Sequence, residues 1–193
     1  MRSLVRWILA ATLASCASLS AQPRAIDTQK SVLTVRVYRS GIFSVLAHDH
    51  EIAAPIAGGS VDAAAHRVTL RVDAGTLRVL DSGASDKDRN EIQRTMLSSA
   101  VLDATRNPEI AFEAATVEGG NTSAWRVRGN LTLHGVTQPV TVDVSEKAGH
   151  YLGNVALKQT AFGMKPLSIA GGTVKVKDEV RVEFDIQVMP ESK

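Results

Sequence analysis

Residues 125–145 read WRVRGNLTLHGVTQPVTVDVS, and apolar and polar side chains alternate along both halves of this stretch. In an extended chain, Val127 and Leu131 point to one side while Arg128 points to the other. This alternation predicts two β-strands, each with one apolar and one polar face. His134 stands before a glycine between them, where a hydrogen bond from its ring to the backbone would hold the turn.

The same alternation recurs along the chain with turn residues between the segments, and helical spacing is nearly absent. Asp178 and Glu179 separate the last two apolar runs and predict the turn of a final hairpin. About eight strands of an antiparallel all-β domain are indicated in this way. The other alternating segments are residues 33–37, 68–73, 110–113, 140–144, 155–157 and 174–188.

Residues 85–104 are the exception, because their apolar side chains recur with the spacing of an amphipathic helix. Ser85 or Asp86 is suited to cap its beginning, and Pro108 prevents its continuation into the next strand. We therefore predict one α-helix between strands, covering an open end or side of the sheet. Its apolar positions are Ile92, Met96, Leu97, Ala100 and Val101.

The first residues have the layout of an export signal: two arginines, a short apolar run and then small residues. This predicts a signal peptide at residues 1–21, one domain at 22–193, and a periplasmic or secreted protein. The one cysteine, Cys16, lies in a sequence similar to the lipobox of bacterial lipoproteins. Two outcomes stay open, an acylated Cys16 that anchors the protein to a membrane, or ordinary cleavage near Ala21; neither permits a disulfide within the mature chain.

Composition narrows the function further. The chain is 44% hydrophobic but only 4% aromatic, and its 22 basic residues nearly balance its 20 acidic ones. Such a protein lacks both the charge and the stacking surfaces that nucleic acid requires. Neither a nucleophile motif nor a phosphate-binding glycine loop is present, so we expect no enzymatic activity.

The apolar strand faces must be buried, either against a second sheet or inside a sheet that curves into a barrel. Periodicity alone leaves both arrangements open. The inward set is rich in valine and poor in rings, which favours an unfilled interior, although valines that pack against one another remain an alternative. An apolar ligand in such an interior would gain about 0.8 kcal/mol per buried methylene group.

Four segments together resemble one known family. Residues 129–140, GNLTLHGVTQPV, resemble the GxLTxHGxTxPV stretch of the YceI-like family of exported bacterial proteins. Residues 107–112 resemble its yPxIxF stretch, residues 162–164 its FGI corner, and residues 178–180 its final hairpin. The four matches occur in the family's order and cover most of residues 30–188.

The resemblance implies a lipocalin-like, antiparallel, eight-stranded barrel whose lumen holds a polyisoprenoid or quinone-like lipid. We therefore expect a carrier with an apolar lipid as its partner and no cofactor beyond a bound isoprenoid lipid. Whether two copies form a homodimer stays open, as does a structural barrel with a lumen filled by side chains. The predicted ligand-binding residues are Val35, Val37, Val72, Phe112, Trp125, Val127, Leu131, Val142, Leu157, Val182, Phe184 and Ile186.

A metal site is the alternative from a different class. His48 and His50 would lie on one face of an extended strand and could share a metal ion. A third ligand would then come from His66, His134 or His150. Because no established metal-ligand spacing accompanies this pair, hydrogen bonding to neighbouring strands or to the polar head of a lipid is the competing role, and we predict no metal.

Overall fold

The computed structural model describes residues 22–40, 49–120, 123–169 and 174–190, which form one sheet and one α-helix. The predicted signal peptide at residues 1–21, with Cys16, lies outside the described residues, as does His48. No helix within the described ranges has the length and apolar character needed to cross a membrane.

Every strand pairing in the sheet is antiparallel, which confirms the predicted all-β class with one helix between strands. The strand order is β1-β4-β5-β7-β8-β9-β10-β12-β2-β3-β6, and β11 pairs with β12 outside this order. The helix α1 spans Asp86–Leu97. The strands are β1 Arg24–Ala25, β2 Val32–Ser40, β3 His50–Ala53, β4 Ile56–Asp62, β5 Arg67–Asp73, β6 Arg78–Val79, β7 Glu109–Gly119, β8 Ala124–Leu133, β9 Val136–Lys147, β10 His150–Lys158, β11 Ser168–Ile169 and β12 Val174–Gln187.

The strands curl into a half-barrel, and β1 lies where its two sides approach each other. On one side β1 pairs with β4, and Ile26 N donates to Gly59 O at 3.0 Å. On the other side Ile26 forms a bridge with Val188, and Asp27 N donates to Gln187 O at 2.9 Å. The first strand of the sheet order therefore also contacts the end of β12.

The predicted count of eight strands is wrong, because the described residues alone form a sheet of twelve strands, eleven of them on one path. Pro55 separates β3 from β4, and a turn in which the Asp27 carboxylate accepts hydrogen bonds from Gln29 N and Lys30 N separates β1 from β2. The two-residue strands β1, β6 and β11 are too short to show a periodic pattern.

The predicted hairpin turn at Asp178 and Glu179 is also wrong, because β12 continues through both residues. Its pairing with β2 shifts register between Val176 and Val180, which marks a β-bulge. A bulge lets polar residues interrupt an apolar pattern without ending the strand, so in the sequence it resembles a turn.

The helix begins as predicted and ends earlier than predicted. The side chain of Ser85 accepts a hydrogen bond from Asp88 N and caps the first turn. The helix stops at Leu97 because the next residues form turns, in which Leu102 N donates to Met96 O at 3.1 Å. The side chain of Gln93 fixes the helix to the sheet by bonding to Leu77 O and Val79 N.

The inner face of the sheet carries the apolar core in two clusters. The larger cluster lies at the end covered by α1 and includes Met96, Leu102, Phe162 and Val180. The smaller one contains Ile26, Ile56 and Ile186. Several inward side chains, including Val35, Leu131 and Val182, are only half-buried, because they line the interior space of the curled sheet.

Candidate ligand cavity

The space enclosed by the curled sheet is a cavity of about 370 Å³. This volume lies within the usual range of small-molecule binding sites, roughly 300 to 1,000 Å³. On β10 alone its lining extends from Tyr151 to Leu157, a length of about 20 Å at roughly 3.3 Å per strand residue. The cavity is therefore long, and a chain-like molecule suits its shape.

All twelve residues that the sequence predicts as ligand-binding lie on the wall of this cavity. They alternate with outward-facing polar residues, so that Val127 pairs with Val142 across β8 and β9 while Arg128 pairs with Thr141 on the outside. The structure places these residues together, and their binding of a ligand stays a prediction. They are Val35, Val37, Val72, Phe112, Trp125, Val127, Leu131, Val142, Leu157, Val182, Phe184 and Ile186.

Other lining residues were not predicted from the sequence. Met96 closes part of the wall from α1, and Leu102 and Met164 come from irregular segments at the same end. The sequence did predict a helix that covers the sheet with Met96 on its apolar face, although it did not name Met96 as a ligand-binding residue. No periodic signal marks Met164 or Gln159, because neither lies in a strand.

Two phenylalanine rings of the wall lie across glycines of neighbouring strands. A methyl group placed on Gly129 would lie 2.6 Å from Phe112 Cζ, and one placed on Gly153 would lie 2.5 Å from Phe184 Cζ. Glycine commonly occurs in strands where another group approaches closely. Each ring thus occupies the space above a missing side chain, along the wall.

The hairpin end of the cavity, opposite α1, carries the amphipathic side chains. The rings of Trp125 and Tyr151 lie 5.9 Å apart at an angle of 56°, a favourable tilted arrangement. His66 also lines this end, and its Nδ1 lies 3.1 Å from Val117 O. A ligand would meet polar groups here and an apolar wall further inside.

Of the histidines named for the metal alternative, the four that the structure describes do not converge. His50 Nδ1 contacts the buried Asp81 carboxylate, and its Nε2 lies 3.2 Å from Arg39 Nη2. His150 pairs with Asp185, while His134 Nδ1 contacts Phe162 O at 3.1 Å, which confirms its predicted bond to the backbone. Among the residues that the structure describes, no three His, Cys, Asp or Glu side chains are grouped to hold a metal ion.

The outer face of the sheet carries paired charges. Arg126 donates to Asp143 at 2.8 Å, and this hydrogen bond lowers the pKa of the Asp143 carboxyl below its ordinary value. Arg36 bridges Glu183 and Glu51, and the hydrogen bond to Glu183 is the main reason that its pKa is raised. A broad, shallow depression on this face is lined by Arg126 and Glu183 among others. Because these two charges already pair with protein groups, the inner cavity is the better candidate for a ligand site.

Comparison with known proteins agrees with this architecture. The model of the YceI-like domain matches residues 25–188. The UPF0312 protein of Pseudomonas aeruginosa is 31% identical over 97 residues, which are 45% of this chain and 50% of that protein. The UPF0312 protein of Vibrio cholerae is 27% identical over 131 residues, 62% of this chain and 63% of that protein. The chain spans about half the length of the curated relatives it matches, and somewhat more of the Vibrio cholerae protein.

Solved structures show the same fold. The crystal structure of Burkholderia cenocepacia BcnA superimposes with a TM-score of 0.60 at 18% identity, over 86% of this chain and 99% of that chain. A mutant of the Campylobacter jejuni YCEI protein gives a TM-score of 0.50 at 13% identity, over 72% of this chain and 82% of that chain. Since the family model covers most of the sequence, the chain belongs to the YceI-like family.

Proposed function

We propose that this protein is an exported, non-enzymatic carrier that holds one long apolar lipid, of the polyisoprenoid or quinone type, inside its curled sheet. The observation that carries the proposal is the cavity of about 370 Å³ with a nearly continuous apolar wall. Membership of the YceI-like family supports the same class of ligand. The predicted leader at residues 1–21 supports export, with membrane contact only through an acylated Cys16.

The energetics of burial favour a chain-like ligand. Transfer of about ten methylene groups from water would contribute roughly 8 kcal/mol, the free energy of a micromolar Kd, before the cost of ordering the ligand. Val35, Val142 and Val182 supply this environment without polar contacts. Affinity should therefore rise with chain length.

We further propose that the sheet closes around the lipid as a barrel. The position of β1 supports this, because its neighbour Ile26 contacts both β4 and the end of β12. Closure would remove water from the whole length of an apolar chain. Unpaired strand edges would also be covered.

The direct test is native mass spectrometry of the protein purified without detergent from the periplasm. We expect a mass increment that solvent extraction removes and that matches an apolar lipid. The same spectrum reports whether two copies associate. A protein that is empty and also refuses added prenyl lipids would contradict the proposal.

Filling the cavity tests where the lipid binds. Val182 is half-buried on the wall, so Val182→Trp should place an indole in the lumen and reduce lipid uptake at least about tenfold, since the volume for the chain is lost. Val127→Trp should have the same effect from β8, which also lines the cavity. Uptake of a fluorescent fatty acid measures the effect.

Thr141→Trp is the matched control, because Thr141 is exposed on the outer face beside the lining residue Val142. This variant should bind as the wild type does. Thermal unfolding of all three variants checks that they fold. Full uptake by a folded Val182→Trp protein would show that the lipid binds elsewhere.

A further inference from the structure

One buried polar side chain interrupts the apolar wall near the α1 end of the cavity. Gln159 is 7% exposed and lines the cavity beside Leu157, Met164 and Val180. Asp81 is the other buried polar residue among those the structure describes, and it does not line the cavity. Asp62 and His66 also line the cavity, at its hairpin end, and are not buried.

The side-chain amide of Gln159 is only partly bonded. Its Nε2 donates to Lys177 O at 2.8 Å. Since Lys177 contributes a carbonyl oxygen, only the nitrogen of the amide can make this bond, and the orientation of the amide is fixed. No donor among the described residues contacts Oε1, and one N–H of Nε2 also stays available.

Gln93 carries an amide in this protein with hydrogen bonds at both its nitrogen and its oxygen. Its Nε2 donates to Leu77 O at 2.8 Å and its Oε1 accepts from Val79 N at 2.9 Å, so both ends connect backbone groups. Gln93 does not line the cavity. The two glutamines thus differ in what remains for a ligand.

The Oε1 atom of Gln159 must reach accessible space. No fully buried side-chain nitrogen or oxygen among the described residues lacks a hydrogen-bond partner. Gln159 is buried from the surface and lines the cavity, so a group bound in this part of the cavity lies next to its amide. A buried acceptor without a donor is unfavourable, so a water molecule or a ligand group should supply one.

We infer that Gln159 recognises the hydroxyl group of a long-chain alcohol bound in the cavity. This rests on the proposed lipid-carrying function and specifies its ligand. A hydroxyl group donates to Oε1 and accepts from the remaining Nε2 hydrogen, so it satisfies both ends of the amide. A hydrocarbon satisfies neither, and an ether or ketone oxygen only accepts.

Three probes built on the same branched C20 chain test the inference: phytol, its methyl ether and phytane. Each displaces a fluorescent polyene fatty acid from the purified protein. We expect the wild type to bind phytol at least about fivefold more tightly than phytane, the scale of one net hydrogen bond. The ether should bind less tightly than phytol.

Gln159→Met removes the amide and retains the length of the side chain. In this variant phytol should bind no more tightly than phytane, because its hydroxyl group would be buried without a partner, and phytane should bind at least as well as to the wild type. Gln93→Met, the control, loses two backbone contacts and should keep the preference for phytol. A preference that survives in Gln159→Met would overturn the inference, as would equal binding of phytol and phytane by the wild type.

The orientation of the ligand gives a measurement on the wild type alone, should Gln159→Met fail to fold. A phytol analogue with a diazirine at the end opposite the hydroxyl should label the hairpin end, near Trp125 and Tyr151. Labelling near Met96 and Met164 instead would overturn the inference while leaving the carrier function intact. If no probe binds to the wild type, the carrier function itself fails and the inference fails with it.

Discussion

At the scale of single residues, two phenylalanine rings of the cavity wall each lie over a glycine of a neighbouring strand. Phe112 lies over Gly129 and Phe184 lies over Gly153, in each case at a distance that excludes a methyl group. A phenylalanine ring that lies over a glycine of the adjacent strand can pack flat along the wall, so it does not need to project into the lumen. Glycine at these positions thus provides space for the ligand as well as for the ring.

Gly153→Ala should therefore affect both binding and stability. The new methyl group would lie 2.5 Å from Phe184 Cζ and 2.7 Å from Asp143 O, so the ring must turn into the cavity and the neighbouring strand must also shift. We expect lipid uptake to fall severalfold and the free energy of unfolding to fall by about 1 to 3 kcal/mol, the usual cost of overpacking. Urea denaturation and displacement of a fluorescent fatty acid measure the two effects.

Combining the substitution with Phe184→Leu should recover part of the loss, because a smaller side chain leaves room for the methyl group. Gly58→Ala serves as the control, since the added methyl would only approach Arg71 Nη2, at 3.5 Å. It should change neither property appreciably. Additive losses in the double variant would show that Phe184 is not the group displaced.

At the scale of elements, the bulge in β12 is held by the short 3-10 helix Gln159–Phe162. Thr160 N and Thr160 Oγ1 donate to the Asp178 carboxylate at 2.8 and 2.7 Å. Gln159 Nε2 donates to the carbonyl oxygen of Lys177, the residue before Asp178. The bulge and the 3-10 helix therefore position Gln159 at the cavity, and Asp178 supports that arrangement from outside.

The contribution of Asp178 should depend on pH. The hydrogen bond from Thr160 N lowers the pKa of Asp178 below 3.8, and the Thr160 hydroxyl adds to this effect. Because the folded pKa is the lower one, the stabilisation is complete above pH 3.8 and is lost as the pH falls through the folded value. Wild type and Asp178→Asn should thus differ in urea midpoint at about pH 6 and converge towards about pH 2.

Thr160→Val provides the comparison, since it removes the hydroxyl donor and keeps the backbone donor. Its dependence on pH should lie between those of the wild type and Asp178→Asn. A difference between wild type and Asp178→Asn that stays constant from neutral to acid pH would mean that the charge of Asp178 does not stabilise the bulge.

The same segment shows why sequence predicted some elements and not others. The helix cap at Ser85 was predictable because it depends on a side chain and a backbone amide three residues apart. The bulge at Asp178 depends on Thr160, a distant residue that no local pattern connects to it. Local rules predict local bonds, and the interpretation of Asp178 as a turn residue failed for this reason.

At the scale of the whole molecule, alternation was sufficient to predict the wall of the cavity. Any inward residue of a strand, such as Val127 or Leu157, must face the interior once the sheet curls. Alternation could not predict how many strands there are, because β1 and β4 are separated from β2 and β3 only by short breaks. It also could not identify Gln159, whose role depends on the chain's path after β10.

The joining of β1 to two strands leads to the last prediction. Ile26 is 5% exposed and packs with Ile56 and Ile186 where β1, β4 and β12 meet. Ile26→Ala should lower the free energy of unfolding by about 2 to 5 kcal/mol, the usual cost of truncating a buried isoleucine. Since Ile26 also lines the cavity, the folded variant should release a bound lipid faster than the wild type.

Val32→Ala is the control: at a side chain that is 56% exposed, it should change the free energy of unfolding by less than about 0.5 kcal/mol. Urea denaturation and the rate of lipid transfer to vesicles measure both, and wild-type values for Ile26→Ala would show that β1 does not hold the two sides of the sheet together.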